Sequence, residues 1–391
     1  MIGGSTADAE LATLKPWGNR APAITAAERQ QRLAKAREGL TALGADALLV
    51  NAGPSLRYFT GVSWGATERL VALLLPARGE PIMICPTFEL GSLQAELAIA
   101  ADIRLWEEDE SPTDLVVASL PAGATLAVDP LLNFGAARRL GEKLATVDGA
   151  PIIDGLRMRK SPAELALMQQ AKDITLEVHR RAARILAPGI RASEVKRFID
   201  SAHRALAGMG STFCAVQFGR ATAFPHGLPG DQQLAEGELV LIDTGTTVEG
   251  YHSDITRSYA FGNVGDEIAG LWALEKEAQA AAFDAVLPGA PCESVDAAAR
   301  VVLERAGLGP DYRLPGLPHR TGHGIGLAIH EPAYLVRGDS TPLAEGMCFS
   351  NEPMIVVPDR FGIRLEDHFH VTATGAKWFT EPQVSLERPF A

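Results

Sequence analysis

The sequence predicts a protein of two domains, an α/β domain followed by an α+β domain that is built from two related halves. The chain has 391 residues, which is more than one hydrophobic core usually holds. In the first part of the chain, short apolar runs alternate with helical patterns. In the remainder, an order of two helices followed by β-rich sequence occurs twice. We therefore expect an N-terminal arm over residues 1–25, the α/β domain over 26–156 and the α+β domain over 157–391.

Composition and charge argue against several classes of protein. Hydrophobic residues make up 47% of the chain and charged residues 21%, as in ordinary globular domains. The net charge of -12 gives no basic surface for nucleic acid. No apolar run reaches the ~18 residues that a membrane span needs, and the N-terminus does not read as a signal peptide. The four cysteines form no CxxC pair, so we expect reduced thiols and a cytoplasmic protein without a membrane or nucleic-acid partner.

The α/β domain is predicted to begin with a helix after an extended arm that is rich in Gly, Ala and Pro. An amphipathic pattern starts at Thr25 and stops at Gly44, a residue that commonly follows the last turn of a helix. Several short apolar runs follow, and we interpret them as strands of a mixed sheet. These runs are ADALLVNA, VALLLPA, PIMICP, IRLWEE and TLAVD.

The α+β domain is predicted to begin with a capped helix. In the sequence SPAE, Ser161 would cap the helix and Glu164 would reach back to it. The segments RILAPGIRASEV and DAVLPGAPCESV lie one hundred residues apart and share Pro, Gly and Val in register. Each follows a long helical pattern and precedes a shorter one. Two related halves of this kind would enclose a cleft.

A pair of aspartates lies in a predicted β-hairpin, ELVLIDTGTTVEGYHSDITRSYAF, which should turn at Glu249-Gly250. On that register Asp243 and Asp254 are diagonal neighbours on one face, with backbones about 7–8 Å apart. They could instead be surface residues near a turn, but Asp243 follows the apolar run LVLI, where an unpaired carboxylate is costly. We therefore expect both carboxylates to share a cation, which removes their mutual repulsion.

Two glutamates and a histidine add to this pair. The segment FSNEPMIVVPDRFGIRLEDHF predicts a second hairpin, with Glu352 and Glu366 at its open end. In HRTGHGIGLAIHE, glycines flank His323 and would let the backbone approach a metal closely. Four carboxylates with one imidazole suit two divalent ions of manganese, cobalt, iron or zinc.

These motifs, in this order, resemble those of the pita-bread metallopeptidases, and most closely the proline-specific branch of that family. The motifs are LIDTG with a second aspartate eleven residues on, HRTGHGIGLAIHE, NEP and GIRLED. The resemblance covers the whole chain and implies a creatinase-like α/β N-terminal domain followed by a pita-bread catalytic domain with duplicated halves. It also implies two divalent metal ions per subunit, manganese first and cobalt, zinc or iron as alternatives. The implied ligands are Asp243, Asp254, His323, Glu352 and Glu366.

The resemblance further implies hydrolysis of the Xaa-Pro peptide bond by a metal-bridging hydroxide in a homodimeric enzyme. The substrate would be a small peptide with proline at the second position, and Glu352 would carry a proton to the leaving nitrogen. Roles in catalysis or substrate binding would fall to His226, His319, His330, Glu352 and Arg364. Two of these have simpler interpretations, because His330 could form a structural pair with Glu331 and Arg364 could be the partner of a ligand carboxylate.

Alternatives to this function remain open. A dipeptidase is favoured over an aminopeptidase, since Arg364 with His226 or His319 could hold the free carboxylate of proline. Metal-free members of the fold, such as creatinase or non-catalytic binding proteins, would lack some of the five ligands. A metal lyase or a non-peptidase hydrolase would keep the ligands and change the pocket. His368 and His370, which alternate after the last ligand, are interpreted as structural.

Overall fold

The computed structural model describes residues 2–390. Within them the chain forms two compact units, one of Ile24–Arg157 and one that joins the N-terminal residues up to Ala23 to the chain from Met158 onward. The helices are α1 (Ala7–Ala12), α2 (Ala26–Leu43), α3 (Pro54–Thr60), α4 (Leu90–Glu96), α5 (Pro112–Ala118), α6 (Phe134–Gly141), α7 (Ala150–Met158), α8 (Pro162–Arg184), α9 (Ala192–Ala207), α10 (Asp266–Asp284) and α11 (Glu293–Arg305). Short 3-10 helices cover Thr87–Glu89 and Gly219–Ala223.

The strands follow the order that the apolar runs predict, and the structure has further strands that these runs did not predict. They are β1 (Ala47–Asn51), β2 (Ala72–Pro76), β3 (Ile82–Pro86), β4 (Asp102–Trp106), β5 (Thr125–Val128), β6 (Ala145–Asp148), β7 (Phe213–Phe218), β8 (Glu238–Gly245), β9 (Thr247–Val248), β10 (Tyr251–His252), β11 (Ile255–Phe261), β12 (Gly322–Gly324), β13 (Glu331–Leu335), β14 (Cys348–Asn351), β15 (Met354–Val357), β16 (Phe361–Arg364), β17 (Asp367–Val371) and β18 (Ala376–Trp378).

The first unit contains the predicted mixed sheet, in the order β4-β3-β2-β1-β5-β6. Strand β1 is fully buried and pairs antiparallel with β2 and parallel with β5. Helix α2 is capped by Thr25 and ends at Gly44, which has a φ of 69°. The sequence did not predict β6, because its residues are mostly exposed and form no apolar run. The core packs apolar side chains of the sheet against those of α5 and α6.

The prediction of a fully extended N-terminal arm is wrong for residues 7–12. Thr6 accepts a hydrogen bond from the backbone N–H of Ala9, and this cap begins helix α1. The side chains of Leu11 and Trp17 pack against the apolar core of α8 and α9, so the segment belongs to the second unit.

The second unit begins with the predicted capping box. Ser161 accepts from the backbone N–H of Glu164, and the Glu164 side chain accepts from the backbone N–H of Ser161. Pro162 is the first residue of α8, which runs on to Arg184.

The two predicted halves of this unit make equivalent backbone contacts. Gly189 donates its N–H to Leu234 in one half, and Gly289 donates to Leu343 in the other, at 2.7 and 2.8 Å. Both glycines have a positive φ, 84° and 87°, where a side chain would be strained. Each half packs its own helix pair, α8 with α9 and α10 with α11, around a separate apolar core. The matching contacts confirm the duplication that the repeated sequence predicted.

The sheets of the second unit carry the candidate site. Strands β11-β8-β7 form one sheet, β13-β12-β14-β17-β18 form another, and β15 pairs with β16 as a hairpin. None of the described helices is long and apolar enough to cross a lipid bilayer. All four cysteines are free of disulfide bonds, as expected.

Candidate active site

The first hairpin has the register that the sequence predicts. Strands β8 and β11 place Thr256 opposite Asp243, so Asp254 is the diagonal neighbour of Asp243. The turn falls at Glu249 and Gly250, which both have positive φ, 48° and 79°, as a type I′ turn requires. The two aspartates therefore face one locus.

The second hairpin delivers the two glutamates. Strands β15 and β16 pair Met354 with Arg364, and the same register continued outward sets Glu352 opposite Glu366. The hairpins meet at a bridge between Thr256 and Glu366, whose side chains share a hydrogen bond of 2.7 Å. Carboxylates from both halves of the unit thus converge on one buried point.

His323 completes this group from strand β12. Its Nε2 lies 3.2 Å from Oε1 of Glu352 and 3.8 Å from Oδ2 of Asp254. Its backbone N–H donates to Ser350 Oγ, and its Nδ1 lies 3.0 Å from the carbonyl oxygen of Gly324. A proton on Nδ1 would fix the ring and leave Nε2 free to bind a cation.

The glycines beside His323 lie against neighbouring backbone. A Cβ on Gly322 would come within 2.1 Å of the Ser350 carbonyl oxygen, and one on Gly324 within 2.5 Å of the Glu331 carbonyl oxygen. The close approach of the neighbouring strands therefore requires glycine at these positions.

The carboxylates perturb one another because they are buried together. Burial, and then the negative charges of Glu366, Asp243 and Glu352, raise the pKa of Asp254 well above its usual value. Burial and the charge of Glu352 raise the pKa of Glu366 in the same way. Burial would also raise the pKa of Glu352, but its hydrogen bond to His323 and the positive charges around it lower that pKa instead.

The donor set fits a divalent cation. Three buried oxygens have no hydrogen-bond partner among the described residues: Asp243 Oδ1, Asp254 Oδ1 and Glu366 Oε1. Buried polar atoms of folded proteins are usually satisfied by a protein group, a water or an ion. His323, Glu352 and Glu366 also place one ligand atom each within 4.8 Å of one another. A cation here would satisfy the oxygens and relieve their repulsion.

Arg364 is buried against a predicted ligand. Its Nη2 lies 2.5 Å from Asp243 Oδ2, and its Nε donates to Thr256 Oγ1. These contacts fit the interpretation of Arg364 as the partner of a ligand carboxylate. Its Nη1 makes no hydrogen bond to the part of the chain that the structure describes.

Of the other predicted histidines, His330 lies beside the carboxylates and His323, whereas His226 makes no contact with them that the structure shows. The rings of His330 and His323 are 4.2 Å apart between centroids. The Nδ1 of His319 lies 2.7 Å from the Arg320 carbonyl oxygen. Burial lowers the pKa of the His319 ring, although the negative charge of Glu352 acts to raise it. His226 is exposed in the loop after Ala223, and within residues 2–390 no hydrogen bond joins it to the other site residues.

His368 is a residue whose place at the site the sequence interpretation missed. It is fully buried on β17, and its Nε2 lies 3.6 Å from Glu366 Oε1. With Asp254 and Glu366 it forms a second group that could hold a metal ion. Strand alternation was the available signal, because residues 366 and 368 lie on the same face. Unlike His323, it has no partner for Nδ1 among the described residues.

Comparison with known families matches both units of the chain. Residues 166–373 match the profile of metallopeptidase family M24. Residues 32–159 match the creatinase/prolidase N-terminal domain. The second unit therefore has the pita-bread fold and the first is the creatinase-like domain, as the motifs implied.

Several relatives cover nearly the whole chain. The probable dipeptidase PepE of Mycobacterium bovis is 38% identical over 88% of this chain and 92% of its own length. The Xaa-Pro dipeptidase of Lactobacillus helveticus is 32% identical over 85% of this chain and 92% of its own. The crystal structure of dipeptidase PepE from Mycobacterium ulcerans superposes with a TM-score of 0.86 at 35% identity, covering 94% of this chain and 99% of that one.

Proposed function

Because the chain belongs to metallopeptidase family M24, we propose that it hydrolyses the bond between an N-terminal residue and proline, preferentially in dipeptides. The observation that carries this proposal is the convergence of Asp243, Asp254, His323, Glu352 and Glu366 on one buried point. The similarity to a protein named Xaa-Pro dipeptidase supports the choice of substrate.

These five residues would hold two divalent ions. Asp243 would bind one ion, His323 and Glu352 the other, and Asp254 and Glu366 both. When bound, such a pair supplies an activated water nucleophile and stabilises negative charge on a carbonyl oxygen. Manganese is the first candidate, with cobalt, zinc or iron as alternatives, because oxygen ligands with one imidazole accept each of them.

The side chains around these ligands would position the substrate and move its protons. Glu352 lies at the edge of the group, hydrogen-bonded to Ser350 Oγ at 3.1 Å, and would pass a proton to the leaving nitrogen of proline. His330, beside His323, would donate a hydrogen bond to the developing oxyanion. His319 would contact the substrate from the other end of the same segment.

Recognition of a dipeptide requires a group that binds the carboxylate of proline. We assign this to the unpaired Nη1 of Arg364 together with His319 or the exposed His226. An aminopeptidase acting on longer peptides would leave this end of the substrate open. The substrate in either case is a small peptide, and we expect a homodimer.

A product assay on metal-depleted protein, reconstituted separately with manganese, cobalt or zinc, tests the proposal. An Xaa-Pro dipeptide and an Xaa-Pro-Xaa tripeptide are offered side by side, and the products are separated. Cleavage of the dipeptide alone is the expected result. Equal or faster release of the first residue from the tripeptide would indicate an aminopeptidase. Binding of two metals without cleavage of either peptide would favour a non-peptidase hydrolase or lyase.

A further inference from the structure

The segment that carries three histidines, residues 319–331, runs between two buried ion pairs. Asp296 and Arg300 form one pair on α11, with side chains 1% and 6% exposed. Lys160 and Glu331 form the other, with side chains 1% and 3% exposed. The first pair contacts the beginning of the segment and the second includes its last residue. None of these four residues belongs to the five proposed metal ligands, and none has been given a role in the reaction.

The Asp296–Arg300 pair holds the beginning of the segment through backbone contacts. Arg300 donates from Nη2 to the carbonyl oxygen of His319 at 2.6 Å and from Nη1 to that of Asp311 at 2.7 Å. Its Nε donates to Asp296 at 2.8 Å. Three fixed N–H directions of one planar guanidinium are therefore used at once, which an ammonium group could not reproduce.

The same pair is connected to Glu352 through one residue. Asp296 Oδ1 accepts from both the backbone N–H and the hydroxyl of Thr321, at 3.1 and 2.8 Å. The carbonyl oxygen of Thr321 in turn accepts from the backbone N–H of Glu352 at 2.8 Å. A single buried pair thus contacts His319 directly and Glu352 through Thr321.

The Lys160–Glu331 pair holds the end of the segment. Lys160 Nζ lies 3.1 Å from Glu331 Oε2, while Glu331 Oε1 accepts from the backbone N–H of Ala328 at 3.0 Å. A Cβ on Gly326 would come within 2.8 Å of Glu331 Oε2 and 2.9 Å of Lys160 Cε, so the loop packs directly on the pair. His330, the neighbour of Glu331, is exposed, and its ring lies beside that of His323.

We propose that these two ion pairs are positioning residues that fix the two ends of segment 319–331 and so align His319 and His330 with Glu352. The proposal rests on the proposed peptidase function for its kinetic consequences. Burial of an ion pair is weak support for a role in stability, because desolvation offsets much of the attraction between the charges. Small misplacements of catalytic groups, in contrast, can lower a rate by ~10²-fold.

The Asp296–Arg300 pair is tested with Arg300→Lys. The lysine variant keeps the charge beside Asp296 and loses the fork to the carbonyl oxygens. We expect its kcat to fall about 10-fold to 100-fold and its KM to rise, because His319 would contact the substrate, with metal content and melting temperature close to those of the wild type. Arg204 provides a matched control, since Asp200 and Arg204 have the same spacing on α9 but are 39% and 64% exposed. Arg204→Lys should leave kcat unchanged.

The Lys160–Glu331 pair is tested with the double variant Lys160→Met/Glu331→Gln. Removing both charges avoids leaving one of them buried alone, which is strongly destabilising. We expect a loss of kcat of about 10-fold, without loss of bound metal, because the metal ligands lie outside the pair. A kcat that falls only in proportion to the folded fraction, for both this variant and Arg300→Lys, would overturn the proposal.

Hydrogen exchange separates failure of this proposal from failure of the proposed function. In Arg300→Lys, amides of residues 319–324 should exchange faster, while in the double variant the effect should fall on 326–331. If the wild type cleaves no Xaa-Pro peptide, the proposed function fails, and unchanged exchange in both variants then refutes the positioning role as well. Faster exchange confined to these ends would support the role independently of substrate.

Discussion

The pKa of Asp254 shows how the buried carboxylates of the site affect one another. It is buried beside Asp243, Glu352 and Glu366, and these charges together with burial raise its pKa well above the usual value. A cation at this point would reverse the effect, because it favours the charged carboxylate. The same side chain should therefore destabilise the metal-free protein and stabilise the metal-bound one.

The variant Asp254→Asn tests this reversal. Without metal, the variant should melt at a higher temperature than the wild type, since one of several crowded carboxylates is removed. With manganese the order should invert, and kcat should fall by about three orders of magnitude or more, because the shared ligand is lost. Thermal melts with chelator and with manganese, together with metal analysis, are the measurements. A variant that binds two ions and remains active would contradict the assignment.

Two buried histidines should make the fold sensitive to acid. Burial lowers the pKa of His179 to about 3 and that of His203 to about 4. Both are neutral in the folded state at pH 5, whereas the unfolded chain takes up protons below about pH 6.5. The contribution of these neutral histidines to folding stability is therefore fully present above that pH. Below it, the free energy of unfolding decreases by about 1.4 kcal/mol per pH unit for each histidine.

Denaturant titrations between pH 7 and pH 4.5 measure this slope. His203 accepts or donates to Ser211 at 2.8 Å and Thr175 at 3.3 Å, so His203→Gln retains hydrogen-bonding capacity while removing the titration. Its stability should depend less steeply on pH than that of the wild type. Identical slopes for the two proteins would show that His203 does not contribute.

Strand β12 is packed tightly against its neighbouring strands. A Cβ at residue 324 would lie 2.5 Å from the Glu331 carbonyl oxygen and 2.8 Å from that of Pro332, and neither backbone atom can move freely. Gly324→Ala should therefore separate β12 from β13, displace His323 and lower both the melting temperature and metal affinity.

Gly270→Ala is the comparison for this prediction. Gly270 lies within helix α10, and a Cβ there would meet no atom within 4 Å. Alanine in a helix interior is favoured over glycine by about 0.5–1 kcal/mol, so this variant should be slightly stabilised. Metal affinity in Gly324→Ala equal to that of the wild type would mean that His323 keeps its place despite the added methyl group.

At the level of elements, the sequence predicted the turns, helix caps and hairpin registers that depend on residues close together along the chain. The turn at Glu249-Gly250, the capping box at Ser161 and the register of both hairpins follow from short-range patterns, and the structure has them. Strand β6 was missed because pairing with β5, not an apolar pattern, defines it. The proximity of His368 to Asp254 was not predicted, because it depends on the packing of segments far apart along the chain.

For the whole molecule, bound metal should contribute to stability. Ligands that bind only the folded state stabilise it by about 2.7 kcal/mol at a concentration one hundred times Kd. The five proposed ligands come from strands or strand ends of both halves, so neither half alone contains the full set. The melting temperature should rise as manganese is added to the depleted protein. A melting temperature independent of manganese would contradict a site that joins the halves.

The repeated segments RILAPGIRASEV and DAVLPGAPCESV predicted the duplication within the second unit, because each lies between a long helix and a shorter one. The sequence did not reveal the bracing of residues 319–331, because Asp296 and Lys160 lie far from it along the chain. The contact between Arg364 and Asp243 was likewise not predictable from the sequence, because the two residues lie far apart along the chain.

The most direct test of the central claim is to measure bound manganese and Xaa-Pro hydrolysis on the same sample during a metal titration. Activity should be absent in chelator, should appear as ions bind, and should reach its maximum at two ions per chain. Hydrolysis that persists at full strength without metal, or two bound ions without any hydrolysis, would contradict the account.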